Sequence, residues 1–172
     1  MHQKTIEKAK KRLFKGDLVI FPTETVYGLG ADATNHEAVK LIYKTKKRPH
    51  ENPLICHFSN IQEIKKNFDF KIKDNELAKI FWPGPLTLVL EKKKDSKISP
   101  HVSNNQNFVG CRIPNNDIAL NLLSLLDFPV AAPSANIATR TSVTSIKDLD
   151  SNLQNIFQID GGATVLGLES TV

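Results

Sequence analysis

The sequence predicts an α/β protein, a single domain over residues 1–172 built on a twisted, open mixed sheet flanked by helices. Short β-branched runs such as Asp17-Leu-Val-Ile-Phe21 and Leu86-Thr-Leu-Val-Leu90 alternate with segments of helical period, the pattern of a helix-covered sheet. Some of these runs end in polar loops carrying Gly, Pro or Asn, where open α/β sheets hold ligands. No repeat and no long linker divides the chain, and 40% hydrophobic with 24% charged residues suits one core.

In chain order, Ile6, Ala9, Leu13 and Phe14 predict a helix over 5–14, with Thr5 as N-cap and Gly16 as its stop. A strand at 17–21 ends at Pro22, which cannot donate to a ladder. The polar turn Phe21-Pro-Thr-Glu-Thr-Val-Tyr-Gly-Leu-Gly-Ala-Asp-Ala33 follows, closed by Gly28 and Gly30. It reads as a ligand loop or as a plain connection. Asn35 caps a helix through Ala38, Val39, Leu41, Ile42 and Tyr43 that delivers Lys44-Thr-Lys-Lys-Arg48, and Pro49 stops it. Strands are expected at 54–58, 86–90, 108–113, 156–159 and 168–172, and Pro129-Val-Ala-Ala-Pro-Ser-Ala-Asn136 is a strand running into a loop. Helices are expected at 61–68, 75–82 and 117–126, with a short one at 148–154. Trp82-Pro-Gly-Pro85 is a tight turn, and 92–107 is the expected mobile loop.

Three polar segments, the opening loop, 44–53 and 133–144, are expected to gather at one edge of the sheet. Lys46 and Arg48 set a point cation beside a forked one, a pair suited to polyphosphate. The same cations would also balance a helix macrodipole, by roughly 0.3–1 kcal/mol. Ser134-Ala-Asn136 offers a hydroxyl and an amide to phosphate or carboxylate oxygens, or else caps an ordinary turn. His57 lies in a predicted strand, where a satisfied core histidine is the plain reading. Arg112, a charge on an apolar strand, demands a partner.

The net charge of +5 is clumped at 8–15, 44–48, 65–66 and 92–94, which favours an anionic partner, either nucleotide phosphates or an RNA backbone. The last two clumps read as solvated surface, since no aromatic residues interleave them. No apolar run approaches the roughly 18 residues that span a bilayer, and the N-terminus has no apolar signal core. The expectation is a cytoplasmic protein without membrane contact, with Cys56 and Cys111 reduced in the core. Neither a metal-cage spacing nor a Walker A or GxGxxG motif stands out.

Taken together, Phe21-Pro-Thr-Glu-Thr-Val-Tyr-Gly-Leu-Gly30, Lys46-Lys-Arg-Pro49 with Asn52-Pro-Leu54, Trp82-Pro-Gly-Pro-Leu-Thr-Leu88, Pro133-Ser-Ala-Asn136 and Glu169-Ser-Thr-Val172 resemble the YrdC/TsaC family of threonylcarbamoyl-AMP synthases. The resemblance covers nearly the whole chain. It implies a YrdC-like sheet with a concave, basic cavity. It also implies a reaction joining ATP, L-threonine and bicarbonate into L-threonylcarbamoyl-AMP, with pyrophosphate leaving. The product would feed tRNA threonylcarbamoyl-transfer proteins acting beside the anticodon. By resemblance, Lys46 and Arg48 are the catalytic cations. Arg48, Asn52, Ser134, Asn136, Ser142 and Thr144 would serve ATP, and Thr25, His57, Arg112 and Ser170 would bind threonine. Magnesium would arrive with ATP, with no protein metal site and no prosthetic group.

Two departures stand out. Ile137-Ala-Thr-Arg-Thr-Ser-Val-Thr144 lacks the glycine and proline usual in the family there, though it keeps Ser142 and Thr144. Relatives also continue past this point through a further strand and an Arg-containing segment, and longer ones add a C-terminal domain. A short member and a fragment both fit. Three rivals remain: an RNA-binding module contacting tRNA or duplex RNA; the carbamoyl-transferring relative within HypF, whose CxxC pairs this sequence lacks; and a generic nucleotide-binding α/β domain, whose commoner forms carry a Walker A or GxGxxG motif.

Overall fold

The computed structural model describes residues 2–172. Helix α1 (His2–Phe14) buries Ile6, Ala9 and Leu13 along one face, each large apolar side chain contributing roughly 1.5–3 kcal/mol. It stops at Gly16, whose φ of +82° is the left-handed geometry that glycine tolerates at a helix end. Thr5 lies inside α1 rather than capping it.

Strand β1 (Val19–Phe21) pairs antiparallel with β2 (Gly28–Asp32), which corrects the expected turn: Gly28 and Gly30 belong to a strand. The space beside Gly30 is already filled, since a Cβ there would lie 2.7 Å from both the Phe21 ring and Val130. Sequence periodicity cannot see a strand whose alternate positions lack side chains.

Helix α2 (His36–Lys46) is capped as predicted, the Asn35 side chain accepting from the Glu37 and Ala38 amides at 3.0 and 3.1 Å. The rest follow as β3 (Ile55–His57), α3 (Ile61–Asn67), β4 (Phe68–Asp69), α4 (Ile72–Phe81), β5 (Leu88–Lys92), β6 (Phe108–Arg112), α5 (Asp117–Ser124), β7 (Val130–Ala131) and β8 (Phe157–Gln158). The sheet runs β4-β5-β6-β3-β7-β2-β1-β8, with β3/β6 and β1/β8 parallel and the other pairs antiparallel, so it is mixed. Alternation along β1 divides the core. Val19 and Phe21 pack with α1 and α5, while Ile20 joins the larger cluster containing α2. Cys56 and Cys111 face each other across the parallel β3/β6 pair; both are free and buried, and burial pushes both thiols up.

Several expectations change. The 148–154 helix is two 3₁₀ turns, Ile146–Asp148 and Ser151–Leu153, each capped by its own Ser145 or Asp150 side chain. The 92–107 segment is anchored: Ser99 donates to the Ala33 carbonyl, Val102 accepts from the Leu54 amide, and Ile98, Ser99, Val102 and Ser103 are buried. The 168–172 strand is a single bridge, Leu86 with Thr171, and Leu168 and Val172 stay exposed.

Candidate active site

The loop 161–171 is laid over the molecule by hydrogen bonds at both ends. Tyr27 Oη donates to the Gly162 carbonyl at 2.6 Å, and the Leu166 and Gly167 amides donate to the carbonyls of Glu24 and Thr25. At the far end, the Thr171 amide donates to the Pro85 carbonyl and Ser170 Oγ lies 2.8 Å from Thr87 Oγ1. Beneath this strap, along one face of β3, lies a cavity of about 200 Å³ lined by alternate residues Pro53, Ile55 and His57.

Strand register gives the cavity two ends. Arg112 is opposite His57 in β6, and Thr87 precedes the β5 residue paired with Cys111, so Thr25, His57, Arg112 and Ser170 share one end. The amide of Ala132 donates to the Ile55 carbonyl, which carries Ser134 toward Pro53, the other end, where Arg48 and Glu169 also stand. The resemblance gave Thr25, His57, Arg112 and Ser170 to threonine; of the residues it gave to ATP, Arg48 and Ser134 line the second end.

At the first end, Arg112 Nε donates to the Gly84 carbonyl at 3.1 Å and Nη1 donates to Thr25 Oγ1 at 2.9 Å. Its Nη2 lies 2.8 Å from Glu24 Oε1, with no N–H directed at the oxygen, and both side chains are buried. Glu24 supplies the counter-charge that the sequence demanded for Arg112 without naming it. His57 is buried with Nδ1 unpartnered among the described residues, and desolvation, then Arg112, pulls its pKa down to about 3, so its imidazole is neutral.

At the second end, Arg48 Nε and Nη2 donate to the carbonyls of Asn52 and Pro53 at 3.1 Å, fixing the guanidinium at the wall. Burial lowers the Arg48 pKa from its usual value. Lys46 does not line the cavity. It is 1% exposed, its Nζ donating to the carbonyls of Ser134 and Asn136 and to Asn136 Oδ1, and desolvation brings its pKa down to about 8. Asn136 is spent inside the turn, accepting also from Ser134 Oγ at 2.7 Å. Asn52 serves through its carbonyl. Ser142 and Thr144 line an adjoining cleft that shares Glu169 with the cavity, and Ser142 Oγ donates to the Glu169 carboxylate.

Sequence reasoning missed Glu24 and Glu169. Glu24 stood in the quoted loop between two threonines, and its signal was the buried arginine lacking an anion. Among the charged lining residues, Arg48 and Arg112 stand against Glu169. No helix among the described residues is long and apolar enough to cross a membrane.

A Sua5/YciO/YrdC family profile, described as telomere recombination, matches residues 11–172. A threonylcarbamoyl-AMP synthase of Bacillus subtilis is 44% identical over 172 residues, covering 97% of this chain and 49% of the relative. A putative threonylcarbamoyl-AMP synthase of Methanocaldococcus jannaschii is 34% identical over 148 residues, covering 86% of this chain and 68% of the relative. The crystal structure of P. abyssi Sua5 complexed with L-threonine superposes with a TM-score of 0.91 at 44% identity, over 97% of this chain and 49% of that one. The chain thus spans about half the length of the B. subtilis relative and of the P. abyssi structure. With the profile covering nearly all of it, the chain belongs to the Sua5/YciO/YrdC family.

Proposed function

We propose that this chain makes L-threonylcarbamoyl-AMP from L-threonine, bicarbonate and ATP. The observation that carries the reading is the placement of Arg112 and Arg48 at opposite ends of one cavity, one beside hydroxyl groups and one beside an open cleft. The B. subtilis and M. jannaschii relatives are named for this synthesis, and a relative has been crystallised with L-threonine.

Threonine would sit with its carboxylate on Arg112, where a forked guanidinium matches a planar anion. Thr25 and Ser170 supply hydroxyl partners beside it, and neutral His57 adds a ring nitrogen without charge. The amine condenses with bicarbonate to a carbamate, releasing water. A carbamate oxygen then attacks the α-phosphorus of ATP, forming the mixed anhydride as the bond to pyrophosphate breaks. No step requires a protein nucleophile, so positioning and preorganised cations provide the catalysis. Arg48 faces the phosphates from the Ser134 end, and the nucleotide extends past Glu169 toward Ser142 and Thr144. Magnesium enters with ATP, held through its phosphates and water. The product, an activated acyl phosphate, would be consumed by an acyl transfer to tRNA.

The test is pyrophosphate release from ATP, magnesium and bicarbonate, with and without L-threonine. Threonine-dependent release that R48A abolishes while the chain stays folded supports the synthase. Release independent of threonine, or none from a folded chain, would end this reading for this chain.

A further inference from the structure

Lys46 and Arg48 lie one residue apart, yet they face different surroundings. Between them Lys47 takes a left-handed conformation, φ 51°, as the C-cap of α2, so the chain reverses there. The Arg48 amide donates to the Tyr43 carbonyl, and the guanidinium emerges at the cavity. The Lys46 side chain stays inside, under the Ser134–Asn136 turn. An ammonium has three N–H donors and no acceptor, and here each donor has a protein oxygen. The main chain repeats the link, the Lys46 carbonyl accepting from the Ala138 amide at 3.0 Å.

We propose that Lys46 is a positioning residue: it clasps the Ser134–Asn136 turn to the end of α2, and the phosphates are met by Arg48 and Ser134 instead. This rests on the reading that the Arg48 end receives ATP. The bonds of Lys46 set where Ser134 stands, and they leave no N–H of the ammonium for a phosphate. Asn136 Oδ1 accepts from both Lys46 and Ser134, so the lysine, the amide and the hydroxyl form one connected set. Losing the lysine removes the turn's only side-chain hydrogen bonds to α2 among the described residues.

The first test uses the unmodified chain. Reductive methylation followed by peptide mass mapping should leave Lys46 unmodified, at least tenfold slower than Lys44 or Lys47, with or without ATP·Mg. Rapid modification in the free chain that ATP·Mg suppresses would overturn the proposal, because it describes a free cation covered by phosphate. The second test compares hydrogen exchange and nucleotide binding in K46M and R48M. K46M should speed exchange of the amides at 135–138 about tenfold and weaken nucleotide binding while keeping the wild-type salt dependence. R48M should leave those amides unchanged and flatten the salt dependence. Unchanged exchange in K46M with a flattened salt dependence would overturn the proposal. If the unmodified chain binds no nucleotide, the ATP reading fails, while the exchange and methylation results still decide whether the clasp exists.

Discussion

Arg112 Nη1 donates to Thr25 Oγ1 over 2.9 Å, tying the last residue of β6 to the loop between β1 and β2. Both ends of that bond are buried, and Glu24 stands on the other side of the guanidinium. An arginine in this setting needs its neighbours as much as they need it. Each buried charge is tolerable only with an opposite one nearby.

Breaking the pair should therefore cost more than removing it. E24A is expected to destabilise the fold by about 3–5 kcal/mol, since it strands a buried guanidinium. R112A strands a carboxylate and should cost a similar amount, and the double variant less than the sum of the two. Urea denaturation of the three variants gives the coupling directly; additive losses would mean that the two charges do not depend on each other.

His57 sets an acid limit. Its folded pKa, about 3, lies below the unfolded value near 6.5, so between these the unfolded chain binds the extra proton. The stability this contributes is fully present above about pH 6.5 and is lost as pH falls toward 3. Lowering pH from about 6.5 to 4.5 should cost about 2–3 kcal/mol through this residue. Urea midpoints of H57Q should show a shallower acid decline than the unmodified chain; equal slopes would mean that His57 is protonated without cost.

Gly30→Ala places a methyl where Phe21 and Val130 already stand, each 2.7 Å from the new carbon. Overpacking of this kind costs about 1–3 kcal/mol, read as a fall in Tm. Gly162→Ala meets nothing within 4 Å, so its only cost is the left-handed backbone at φ +76°, about 1 kcal/mol. A larger loss at 162 than at 30 would contradict the packing described.

Tyr27→Phe removes a hydroxyl that donates to the Gly162 carbonyl and accepts from the Gly161 amide at 3.0 Å. The expected loss is about 1–2 kcal/mol, with faster hydrogen exchange at 161–167 and little change in α1 or α5. Uniformly faster exchange would show that the bond supports the whole core rather than the strap.

Local signals made much of this legible. Asn35 announced α2, Gly16 the end of α1, and the apolar runs around Cys56 and Cys111 two strands, though not that these two pair in parallel. Thr25, Arg48, His57, Arg112, Ser134 and Ser170 do share one cavity. What stayed hidden depended on distant partners. Lys46 is occupied by oxygens 88 and 90 residues away, so a Lys-x-Arg spacing could not show that only the arginine faces outward. The β2 glycines carry no side chain for periodicity to register, and 168–172 has strand-like residues but only one neighbour to bridge.

Cys56 and Cys111 sit side by side in the middle of an eight-stranded sheet, with no route for a reagent while that sheet is closed. Their consumption by an alkylating probe is thus a clock for the separation of β3 from β6, blind to surface chemistry. Because one opening uncovers both sulfurs, doubly labelled chains should outnumber singly labelled ones from the first minutes, which turns two unremarkable thiols into a built-in readout of cooperative unfolding.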